Sequence, residues 1–100
     1  MAKLVRDNIP AIIEQQGKRA IIRQASNSEF LHLLFIKLQE EIVEFAHNPN
    51  VEELADITEA VLTLGELWGI SESSIQKARL QKREINGGFH NKTILIDVES

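Results

Sequence analysis

The sequence predicts an all-α, mainly helical, domain organised around an antiparallel helical hairpin. Two long stretches repeat apolar residues at three- and four-residue spacing, and each is headed by a capping residue. Only Asn48-Pro49-Asn50 separates them, a break short enough to make the two helices antiparallel neighbours. A chain of 100 residues holds one domain, here 1–100, with room for one modest core.

Along the chain, Asp7 or Asn8 first caps a short helix with Pro10 in its first turn and Gly17 just past its end. Ala20-Ile21-Ile22 is β-branched and too short for a helix, so residues 20–24 read as a strand. Ser26-Asn27-Ser28-Glu29 has the form of a capping box, and the helix it opens runs to about His47. Asn50 caps the second long helix, which ends at Gly69 after Trp68. Ser71 starts a last helix closed by Gly87-Gly88. Residues 93–98 are strand-like and are expected to pair with 20–24 as a small two-stranded ribbon.

Composition narrows the function. The absence of cysteine excludes a disulfide-stapled scaffold, a thiol nucleophile and a zinc–thiolate site. No apolar stretch approaches the roughly 18 residues of a membrane span. Lys3, Arg6, Asp7 and Glu14 interrupt the apolar run that a secretory signal requires. The expectation is a cytoplasmic protein with no membrane partner. A net charge of −4 and few aromatic residues disfavour nucleic acid as a partner.

The distribution of charge is more informative than its sum. Residues 38–76 contain no Lys or Arg and nine acids, so that segment carries −9 and the flanks together carry +5. In the first long helix Leu31, Leu34, Phe35, Leu38, Ile42 and Phe45 form the expected buried stripe, widened by Phe30 and Leu33. Glu41 lies only about 20° from Leu34 around the helix, at the margin of the core. In the second long helix Leu54, Ile57, Val61, Leu64 and Trp68 form the stripe, and Glu53 and Asp56 occupy its flank near the start.

Antiparallel packing sets the late part of one helix beside the early part of the next. Glu41, Glu44, Glu53 and Asp56 therefore converge at the core edge, and none has a basic residue four positions further on. Like charges beside low dielectric repel one another unless a cation neutralises them, and hard divalent cations take oxygen ligands. These residues point to a magnesium site, with manganese as the alternative ion. Carboxylate-bound magnesium commonly serves a phosphate substrate. Cationic help would come from Arg79, Lys82, Arg83 and Asn86 on the last helix, and from Lys3 and Arg6 at the start. His32, His47 and His90 are scattered and read as structural or surface residues.

With Glu40-Glu41-Ile42-Val43-Glu44 on one helix and Glu53-Leu54-Ala55-Asp56 on the next, the chain resembles the all-α nucleoside triphosphate pyrophosphohydrolases, the MazG-like superfamily. That group includes phosphoribosyl-ATP pyrophosphohydrolase and the dimeric dUTPases. Lys3 to Pro10 is similar to the K-L-V-R-D-x-I-P opening of a compact branch, as is the basic helix running into Gly87-Gly88-Phe89. The resemblance implies hydrolysis of the α–β phosphate bond of a nucleoside triphosphate, giving a nucleoside monophosphate and pyrophosphate, in house-cleaning of non-standard nucleotides. By the family pattern Glu41, Glu44, Glu53 and Asp56 hold one or two magnesium ions, and Glu40 and Glu41 act on the attacking water. Eight residues separate Glu44 from Glu53, a shorter connection than in many members.

The alternatives are the phosphoribosyl-ATP reaction and a non-catalytic helical nucleotide-binding module. The apolar stripes exceed what one hairpin covers, so a homodimer or higher homo-oligomer is expected.

Overall fold

A computed structural model describes residues 2–100, and the described chain is all-helical. Its elements are α1 (Ile9–Gln15), α2 (Asn27–His47), α3 (Val51–Glu66) and α4 (Glu72–Asn86). No helix among the described residues is long and apolar enough to cross a membrane.

Local chemistry accounts for the boundaries. Ser26 Oγ accepts from the backbone N–H of Glu29 at 3.2 Å and opens α2. The carboxylate of Glu29 does not complete a reciprocal box; it takes a two-pronged hydrogen bond from Arg23, at 2.7 and 2.6 Å. That pairing lowers the Glu29 pKa, first through the hydrogen bond. Asn48 ends α2 by leaving the helical region, which the following proline disfavours, and Asn50 Oδ1 accepts from the Glu53 N–H at 2.9 Å to start α3. Ser71 caps α4 in the same manner. Asn8 precedes α1 without a side-chain cap, and Pro10 lies in its first turn.

α3 stops at Glu66, three residues before the expected Gly69. There the backbone turns through Gly69 at φ +69°, and the Ile70 N–H closes back onto the Gly65 carbonyl at 3.0 Å. Gly65 has a packing reason: an added Cβ would stand 3.2 Å from both the Ile70 carbonyl oxygen and Ile75 Cδ1.

Only α2 and α3 pack extensively on each other, and the chain is elongated, 63 × 32 × 23 Å. The hairpin buries Leu34 and Ala60, together with Glu41. Half-buried Leu38 and Phe45 on α2, and Ile57 and Leu64 on α3, surround them. The interface is thus rotated towards the acidic flank of the expected stripe. Phe35 and Ile42 on α2, Leu54 and Val61 on α3, and Trp68 just past the end of α3, stay exposed at seven-residue spacing.

The expected ribbon does not form. Residues 20–24 and 93–98 contain no strand, and Ile21, Ile22, Ile94, Leu95, Ile96 and Val98 are exposed. An isolated two-stranded ribbon is marginal in water, and neither segment lies on an apolar face of this chain that would support it.

Candidate metal centre

Glu41 sits at the start of the last two turns of α2, on the side facing α3. Its side chain is only 6% exposed. Burying a carboxylate costs several kcal/mol unless it is neutralised. Lys37, one turn earlier, supplies part of that neutralisation: its ammonium lies 3.1 Å from Glu41 Oε1. The other oxygen, Oε2, is shut off from solvent and has no hydrogen-bond partner.

Across the hairpin, the first turn and a half of α3 presents Glu53 and Asp56. Asn50 takes the Glu53 backbone N–H, but the Glu53 carboxylate does not reach back to complete a reciprocal box. It turns inward, and its Oε2 is likewise buried without a partner. Oxygens of Glu41, Glu53 and Asp56 lie within 4.8 Å of one another, close enough to share one ion. The Glu53 pKa is raised, most by desolvation, then by the Glu41 carboxylate with which it favours sharing a proton, and by the charges of Glu44, Glu41 and Asp56.

Two orphaned buried oxygens and three converging carboxylates form a donor set that fits a hard divalent cation. Ala60, buried one turn beyond Asp56, keeps the neighbouring space free of a longer side chain.

The other expected site residues are distributed differently. Glu44 is exposed and outside the triad, though near enough for its charge to act on Glu53. Glu40 is exposed and lines an open groove on α2 with Ile36, Gln39, Val43 and Glu44. Arg6 reaches the cluster, with Nη2 2.7 Å from Asp56 Oδ1. Lys3 is exposed. Arg79, Lys82, Arg83 and Asn86 lie exposed on α4, which does not pack extensively on the hairpin. His47 Nδ1 lies 3.1 Å from the Val43 carbonyl oxygen, in keeping with a structural residue.

Lys37 is the site residue that sequence reasoning missed. Its place four residues before Glu41 is the available sign, because a helical partner can precede an acid by one turn as well as succeed it.

A family model described as dUTPase matches residues 5–92. A protein of Mycolicibacterium smegmatis, described as uncharacterized, is 46% identical over 44 residues, which is 44% of this chain and 45% of that protein. The match thus spans less than half of that relative's length. No solved structure matches the chain.

Proposed function

The chain belongs to the dUTPase family, and from that membership we propose that it is a magnesium-dependent nucleoside triphosphate pyrophosphohydrolase. It cleaves between the α and β phosphates to release a nucleoside monophosphate and pyrophosphate. The observation that carries the reading is the partnerless, buried Oε2 of Glu41 beside Glu53 and Asp56. A structural carboxylate so deeply placed would have both oxygens satisfied.

Glu41, Glu53 and Asp56 would hold the ion, with Glu44 at the rim. A divalent cation there supplies Lewis acidity to the phosphate oxygens and to a water nucleophile. The residues of the chain do the rest. Glu41, anchored by Lys37 and buried in the hairpin as Leu34 and Ala60 are, holds its carboxylate in one orientation. Glu40, exposed on the groove side of α2 and outside the ligand set, is the carboxylate left free to take a proton from the attacking water. Lys82, Arg83 and Lys3 are cations for the pyrophosphate leaving group, brought in from α4 and the N-terminal segment.

The assembly that completes this site is a second copy of the chain. The accessible surface is 9065 Å², whereas a folded monomer of this mass exposes about 5,700 Å². The excess exceeds what a standard interface covers on both partners. The exposed heptad rows on α2 and α3 suit packing into a four-helix bundle.

Pyrophosphate release from dUTP and from a panel of normal and modified triphosphates, with and without Mg2+, tests the reading. Glu41→Gln should abolish release while leaving the helical circular-dichroism signal intact. Release independent of Mg2+, or full activity in the variant, overturns it.

A further inference from the structure

The pair between Arg6 and Asp56 differs from every other side-chain hydrogen bond among the described residues. It joins positions 50 apart, whereas the others join residues no more than six apart. It therefore ties the segment before α1, where Leu4 and Val5 are half-buried, to the first turns of α3. Its acceptor is one of the three carboxylates of the cation cluster.

The cluster has two cations of the chain's own, and they differ in kind. Lys37 is on the same helix as Glu41, is 30% exposed, and takes only Oε1. It can stay while Oε2 accepts an ion. Arg6 is 55% exposed and its Nη2 stands 2.7 Å from Asp56 Oδ1. An exposed ion pair of this sort is weak and readily exchanged. A divalent cation shared by Glu41, Glu53 and Asp56 would repel the guanidinium and compete for the same carboxylate.

We propose that Arg6 is the built-in counter-ion of Asp56, exchanged for the divalent cation when the site fills. In the cation-free chain Arg6 screens the carboxylates and holds the N-terminal segment against α3. On binding, the cation takes Asp56 and frees the guanidinium, with Lys3 three positions away, for an anionic ligand at the site's edge. The proposal rests on the reading of the cluster as a cation site. What it adds is the 2.7 Å contact of Arg6 with one of the three carboxylates, while neither Arg6 nor Lys37 satisfies Oε2 of Glu41.

The test is Mn2+ binding without nucleotide, read from the electron paramagnetic resonance of the free ion, for the wild type, Arg6→Gln and Glu41→Gln. Removing the competing guanidinium should tighten Mn2+ binding by about two- to fivefold, as expected when a surface ion pair no longer has to be broken. Glu41→Gln should lose binding. In parallel, Mg2+ should move the Arg6 guanidinium nitrogen-15 resonances towards their positions in Asp56→Asn. Wild type and Arg6→Gln binding Mn2+ equally, or Arg6→Gln binding more weakly, overturns the exchange and leaves the cation site standing. No binding by either overturns the cation site, and the exchange with it.

Discussion

Lys37 holds one oxygen of Glu41, at 3.1 Å, and leaves the other buried and unpartnered. The charge pair is thus built into α2, and the remaining acceptor capacity faces α3. Lys37→Met should destabilise the cation-free chain by at most about 3 kcal/mol, the low end for losing one partner of a buried pair, because Lys37 keeps some contact with water. Magnesium should recover part of that loss by replacing the missing positive charge. Thermal melts in chelator and in millimolar Mg2+ check this. Equal destabilisation in both would show that Lys37 supports the helix and not the carboxylate.

Glu53 makes the stability of the cation-free protein depend on pH. Its pKa is raised, so the folded state binds this proton more tightly than the unfolded state does. The stability contributed by the group is present below the ordinary glutamate range and is lost as pH rises through the raised value. Glu29 acts in the opposite sense and in a lower window, because its pKa is lowered. In chelator, the melting temperature should therefore fall as pH rises above the ordinary glutamate range, and Glu53→Gln should flatten that fall. Magnesium should flatten it too, since it binds the ionised carboxylates. A wild-type profile that is already flat across this window would contradict the origin assigned to the shift.

The helix boundaries were legible because single residues enforce them. Ser26, Asn50 and Ser71 cap, and Pro49 and Gly87 stop, through interactions within a few residues. The convergence of Glu41, Glu53 and Asp56 was legible for the same reason, as helix phase and loop length carry it. The rotation of the hairpin was not. Each stripe is broader than one helix–helix contact, so periodicity cannot choose between burying Leu34 and Ala60 or Phe35 and Val61. The ribbon failed because Ile21, Ile22 and residues 93–98 have β propensity but no supporting face. The Arg6–Asp56 pair joins residues 50 apart, beyond any local pattern.

The exposed rows on α2 and α3 give the last prediction. Phe35 and Ile42 recur at seven residues on α2, as do Leu54 and Val61 on α3 with Trp68 seven residues further on, just past its end. Two antiparallel helices with heptad rows form a single apolar face, and water is a poor neighbour for it. Light scattering should give at least twice the 11.3 kDa chain mass. Val61→Arg should place a charge in the middle of the row, shift the mass towards the monomer and lower the melting temperature. Trp68 is the chain's one tryptophan and is 63% exposed in the single chain, so its emission reports the same event. Blue-shifted emission in the wild type should move to the red in Val61→Arg, because the indole leaves an apolar interface for water. Red emission and a monomeric mass in the wild type would show that this face stays open, and would remove the second copy from the site.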